Sequence, residues 1–184
     1  MVFYSVIFIK GVAISAGSDG YLYLWGDKRM VKKQNAHPKS AILCLFASKG
    51  SKIFASGAVD GKAIIWELGS SSIIQKVFEF SIYSGKELVV PSKFHIQSVC
   101  IGKNEIYMGS RSGDIYKCNC TPANDPIIKD NKTPLILSAF DNDAINSCSF
   151  NISSQKLYVL TNSGTFCVFS LENHQKIKEE KIKI

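Results

Sequence analysis

The chain has 184 residues, of which 46% are hydrophobic and 20% charged, and its formal net charge is +7. That is enough chain for one domain with a real core, and the composition excludes a disordered polymer. The positive balance favours an acidic partner (nucleic acid, anionic lipid or an acidic protein surface), although lysines spread over a solvated face give the same sum.

The opening MVFYSVIFIK lacks the basic start and the small-residue cleavage site of a signal peptide, and it reads as a strand. No run approaches the roughly 20 apolar residues of a membrane helix, so no membrane association is expected. No segment sustains an apolar 3.6-residue period long enough for a helix.

Taken in order, the strand-like runs fall into four similar units. The first is FYSVIFI, VAISAG, YLYLW and VKKQN. The second is AILCLFA, KIFASG, KAIIW and IIQKVFEF. The third is IQSVCIG, EIYMGS, DIYKC and LILSAF, and the fourth is INSCSFN, KLYVLT, TFCVF and HQKIKEE. The runs are short, rich in Ile, Val, Phe, Tyr and Ser, and bounded by Gly, Asn and Ser, as strands are. Gly20, Gly61, Gly113 and Gly164 each open the third run, and five residues later it closes on Trp25, Trp66, Cys118 or Phe169. These glycines recur at intervals of 41, 52 and 51 residues, close to a propeller blade. Gly in the second hairpin supplies the positive φ that a β-carbon would strain.

Four short antiparallel strands per repeat, stacked radially, form a β-propeller blade. The expected fold is all-β: a partial propeller of about four four-stranded blades, with units at approximately 1–35, 36–80, 94–140 and 141–184. One blade cannot cover both of its own faces, so each needs a neighbour.

Cys44, Cys100, Cys148 and Cys167 lie in apolar strand-like runs. Cys118 and Cys120 are two apart, too close for a zinc knuckle, and no second pair or nearby His completes a site. Buried free thiols in a reducing compartment follow, with no metal and no cofactor.

In the second unit Ala36-His37 precedes the first strand, Ser56 sits in the second, Asp60 in the turn and Trp66 at the end of the third. This arrangement resembles the WD-repeat family. The resemblance implies a structural tetrad in which Asp60 accepts from the His37 ring, the other ring nitrogen takes the Ser56 proton, and Ser56 accepts from the Trp66 indole. A His-Asp-Ser set also has the residue types of a hydrolase triad, but there is no GxSxG elbow and Ser56 falls inside a β-run. No catalytic residue is assigned. The first unit has Ser15, Asp19 and Trp25, a partial tetrad whose His would precede Met1. The third has Ser112 at the Asp position and Cys118 at the Trp position; the fourth has Ser163 and Phe169, with Asp141 near the expected His.

Within WD-repeat proteins, SAGSDGYLYLWGDKRMVKKQNAH, then AILCLFA, then FASGAVDGKAIIW, is similar to the echinoderm microtubule-associated protein-like family. IQSVCIGKNEIYMGSRSGDIYKC resembles that family's degenerate blade, and LENHQK follows in the same order. The resemblance implies a non-enzymatic scaffold, microtubule-associated, cytoplasmic and cytoskeletal, with tubulin as partner. A generic WD-repeat adaptor in a signalling or ubiquitin-ligase complex is the alternative. Lys28, Arg29, Lys32 and Lys33 are candidate contacts for the first; Lys39 and Arg111, expected on the face lined by the loops, are candidates for the second. A second lysine group, Lys176, Lys178, Lys181 and Lys183, is diluted by Glu179 and Glu180. Nucleic acid is disfavoured, since the aromatics alternate along strands with no RNP-like run. WD-repeat propellers close with about seven blades, so four leave two open edges. A longer parent chain is expected, and pairing of two copies at their edges is the alternative.

Overall fold

The computed structural model describes residues 1–48, 50–70, 74–85, 89–102, 104–120, 135–138, 140–151, 153–173 and 175–182. Among the described residues, sixteen strands form four antiparallel sheets of four, each in simple chain order. The first holds β1 (Phe3–Ile9), β2 (Val12–Gly17), β3 (Tyr21–Trp25) and β4 (Met30–Asn35). The second holds β5 (Ile42–Ala47), β6 (Ile53–Ala58), β7 (Lys62–Leu68) and β8 (Ile74–Ser81). The third holds β9 (Ile96–Ile101), β10 (Glu105–Ser110), β11 (Ile115–Asn119) and β12 (Leu135–Ser138). The fourth holds β13 (Ile145–Asn151), β14 (Lys156–Thr161), β15 (Thr165–Ser170) and β16 (Lys176–Lys181). A 3-10 turn at Ser92–Phe94 leads into β9.

The sheets stack through their first strands. β1 and β2 pack on β5, β5 and β6 on β9, and β9 and β10 on β13. Three cores fill the three junctions. The first brings Ile14, Leu22 and Leu24 against Phe54 and Trp66. The second sets Ala55 and Ile65 against Ile96, Val99 and Met108. The third sets Tyr107 and Ile115 against Ile145, Leu157 and Phe169. Successive side chains point to opposite faces, and both faces of the second and third sheets carry buried apolar residues, as a blade between neighbours requires. Each fully buried Ile, Leu or Phe contributes about 1.5–3 kcal/mol. A bulge recurs where the first strand begins to pair with the second: Phe3/Ser5, Ile42/Cys44, Gly109/Ser110 and Ile145/Ser147. Such a bulge sharpens the local twist beside the centre of the stack.

Among the described residues the first and last sheets form no junction of this kind, so the four make an open arc. Tyr4, Val6 and Phe8 on β1 are left 51%, 68% and 73% exposed.

Strand bounds differ from the sequence expectation by a residue or two at a few ends. HQKIKEE starts at His174, outside the described residues, and the strand runs Lys176–Lys181. Likewise Ile73 of IIQKVFEF, Ala139 of LILSAF and Lys183 lie outside the described residues. All six cysteines are free. Burial pushes the Cys118 thiol up to about 11 and that of Cys120, with the Cys118 and Glu105 charges adding, up to about 12. No described helix is long and apolar enough to cross a membrane.

Candidate functional site: the loop end of the sheets

In each sheet the second strand runs toward the loop that leads into the third, and the fourth runs toward the loop that leads into the next sheet. Both loops therefore gather at one end of the arc. The glycine turns are fixed there by a repeated backbone bond. Gly20 O accepts from Ala36 and His37 N, Gly61 O from Ile82 N, Gly113 O from Phe140 N, and Gly164 O from Ile182 N, all at 2.9–3.1 Å. At Gly20 two demands coincide: φ is +77°, and a β-carbon would lie 2.0 Å from the His37 carbonyl.

His37 leads into β5 and is fully buried, as is Ser56. The His37 Nδ1 sits 3.0 Å from Asp60 Oδ2, and its Nε2 sits 2.8 Å from Ser56 Oγ. The Trp66 indole donates to the same Ser56 Oγ at 2.9 Å. A carboxylate only accepts, so Nδ1 carries the ring hydrogen, and Ser56 passes its own hydrogen to Nε2. Asp60 Oδ1 also accepts from Lys62 N at 3.0 Å. Every buried polar atom of the set is thus satisfied. The Ser56 hydroxyl, buried with both roles taken, is not presented to any substrate, so this set does not have the form of a nucleophilic site.

The first sheet keeps half of this arrangement. Trp25 donates to Ser15 Oγ at 2.8 Å. Asp19 instead receives the Tyr23 hydroxyl at 2.5 Å and an ion pair from Lys33 at 3.5 Å. Burial works against ionisation of Asp19, but the Tyr23 and Tyr21 hydrogen bonds and the Lys33 ammonium outweigh it and hold the carboxyl below its ordinary value. Tyr23 was not singled out in the sequence; its cue is DGYLY, which sets a tyrosine four residues after the aspartate.

In the third and fourth sheets the network gives way to packing. Met108 and Val159 stand at the Ser56 position and Cys118 and Phe169 at the Trp66 position; all four lie in the junction cores. Ser112 bonds Ser110 and Asp114 within its own turn, at 2.9 and 2.7 Å. In the fourth sheet the loop partner of Ser163 is Asp143, while Asp141, the sequence candidate, is exposed with φ of +39°. Asp143 reaches Ser163 because it is two residues nearer to β13. Its carboxyl, too, lies below the ordinary value: burial opposes this, and the Ser163 and Thr161 hydroxyls, the Ser163 amide and the Lys181 charge overcome it.

The six candidate cations do not share a face. Lys39 and Arg111 are exposed at the loop end. Lys28 and Arg29, also exposed, sit in the β3–β4 turn at the opposite end, where Gly26 N bonds Arg29 O. Lys32 and Lys33 pair with successive residues Leu24 and Tyr23, so they point to opposite faces of β4. Lys33 also lies 3.8 Å from the Tyr21 ring centre. In β16, Lys176 pairs with Glu179 and Lys178 with Glu180, which neutralises those two lysines and leaves Lys181 outside both pairs. A cleft of about 380 Å³ lies between β4 and the outer strands of the second sheet. Its charged lining is paired internally, Lys62 and Lys76 both to Glu79 at 2.6 and 2.9 Å. Among the described residues no group of His, Cys, Asp and Glu could hold a metal ion.

The family model for the WD domain, G-beta repeat, matches residues 28–67, from the β3–β4 turn through most of β7. No curated protein sequence matches. Among solved structures, the computationally designed Ika8 protein superposes with a TM-score of 0.65 at 18% identity, over 96% of this chain and 48% of its own. The computationally designed Ika4 protein superposes with a TM-score of 0.63, also at 18% identity, over 92% of this chain and 91% of its own. The chain thus spans about half the length of the Ika8 chain. At such identity the likeness speaks to fold alone: it supports an all-β partial β-propeller, in which residues 28–67 match a WD repeat.

Proposed function

We propose that the chain is a non-enzymatic protein-interaction scaffold that binds microtubules in the cytoplasm. The WD-repeat match supports the scaffold role. The net charge of +7 supports an acidic partner surface such as that of tubulin. The observation that carries the reading is the pair of exposed cations Lys28 and Arg29, which form no ion pair among the described residues. Six free thiols fit a reducing compartment. Microtubule co-sedimentation at low and high salt tests it: pelleting that salt abolishes, and that Lys28→Glu with Arg29→Glu weakens, is the expected result. Failure to pellet at low salt removes the microtubule reading. The adaptor reading would then stand on Lys39 and Arg111, exposed at the loop end and used in that case for an acidic protein ligand.

A further inference from the structure

The two ends of the arc carry the two halves of the contact that joins its sheets. At the first junction, the face of the second sheet bearing Phe54, Ile64 and Trp66 packs on Ile14, Leu22 and Leu24 of the first. Strand pairing places Val6, Phe8, Ser15, Tyr23 and Trp25 on the corresponding face of the first sheet, which no sheet covers. At the other end, the fourth sheet turns Leu157, Val159 and Phe169 toward the third. Its opposite face, by the same pairing, bears Ser147, Tyr158, Leu160 and Phe166, with the Tyr158 and Phe166 rings stacked.

One polar contact marks the register. At the first junction Ser5 Oγ accepts the Leu45 N–H at 3.0 Å. Ser5 pairs with Ala16, four residues before the turn glycine Gly20; Ser147 pairs with Leu160, four before Gly164. Leu45 pairs with Ser56, five before Gly61; Val6 pairs with Ser15, five before Gly20. Cys44, at the Ser5 position of the second sheet, also reaches across its junction, to Ile96 O at 3.9 Å. Ser147 is the one exposed member of this series.

We infer that two copies of this chain close into one ring of eight sheets. The first sheet of each copy seats on the last sheet of the other, and each Ser147 hydroxyl accepts the Val6 N–H of the second copy. The two faces differ, so the contact is heterologous, and a two-fold axis closes it through two identical junctions. The arc superposes on 48% of the Ika8 chain, so two arcs end to end match the length of that chain. Closure covers Val6 and Phe8, an apolar strand left open on the innermost edge. The inference is independent of the microtubule reading.

Native mass spectrometry or sedimentation equilibrium on the 184-residue chain, from micromolar to hundred-micromolar concentration, reads it directly. A species of twice 20.3 kDa is expected. Phe8→Glu and Ser147→Arg, each at an exposed position, should each give the 20.3 kDa monomer with an unchanged far-ultraviolet spectrum. Mixed together they should recover a weaker dimer through the one junction that neither alters. The Val6 amide should exchange more slowly at high than at low concentration, a readout that needs no variant. A wild-type monomer throughout, a ladder of higher masses, or a dimer that survives Ser147→Arg overturns the inference.

Discussion

Ser163 clasps Asp143 with both of its donors, the hydroxyl to Oδ2 at 2.5 Å and the amide to Oδ1 at 2.9 Å. In the second sheet His37 donates from the loop between sheets to Asp60 in the glycine turn. The fourth sheet ties the same two loops with donor and acceptor exchanged.

The Asp143 clasp has a pH signature. The carboxyl is held below its ordinary value in the folded chain, so its contribution is complete above the unfolded value near pH 4. That contribution is lost as pH falls through the lowered folded value. Asp143→Asn should therefore be less stable than the parent at neutral pH, and the two urea midpoints should converge in strong acid. A gap that persists unchanged at low pH contradicts the clasp.

Ser56→Ala leaves both the Trp66 indole N–H and the His37 Nε2 without a partner in the interior. The cost expected in urea unfolding is about 2–4 kcal/mol. In the monomer, Ser15→Ala strips the partly exposed Trp25 of its acceptor, where solvent can substitute, and should cost about 0.5–1.5 kcal/mol.

Gly11 and Gly20 have nearly the same φ, +80° and +77°. A β-carbon at Gly11 meets nothing within 4 Å, whereas one at Gly20 runs into the His37 carbonyl. Gly11→Ala should cost about 1 kcal/mol, the left-handed penalty alone. Gly20→Ala should cost about 3 kcal/mol or more, because backbone has to move. Thermal unfolding of the two variants separates them.

Thiol chemistry reports on the cores. With Cys118 and Cys120 near 11 and 12, fewer than about one thiol in a thousand is ionised at neutral pH. Burial also pushes Cys44 and Cys100 up. Iodoacetamide should barely label these four in the native chain, and six groups should add after denaturation. Rapid native labelling at any of these four would contradict the packing.

The repeat was legible because it rests on local chemistry. Gly20, Gly61, Gly113 and Gly164 mark hairpins, and the runs between them alternate, so the stretch around each glycine settles four strands. The His37, Ser56, Asp60 and Trp66 contacts are readable for the same reason, through a fixed spacing around Gly61. What escaped was pairing set by distance across loops. Asp143 rather than Asp141 meets Ser163 because the loop backbone takes a left-handed step at Asp141 and Asn142, with φ of +39° and +66°. The scatter of the basic residues also escaped. Lys28 and Lys39 are eleven apart in sequence, yet β4 carries the chain from one end of the sheet to the other between them.

His37 serves two sheets at once: its N–H bonds Gly20 of the first, its ring bonds Asp60 and Ser56 of the second. Asn142 and Asp143 together do the same for the third and fourth, through Ser112 O and Ser163. Between the second and third sheets the ties are separate, Ile82 on Gly61 behind and the His95 carbonyl on Arg111 ahead. Cutting the polypeptide at His37 would strip both neighbours of a shared tether, whereas a cut at Ser84 falls between Ile82 and the described backbone ties of Lys93 and His95 to the third sheet. Two halves produced as independent polypeptides and divided there would each retain a complete pair of tethered blades.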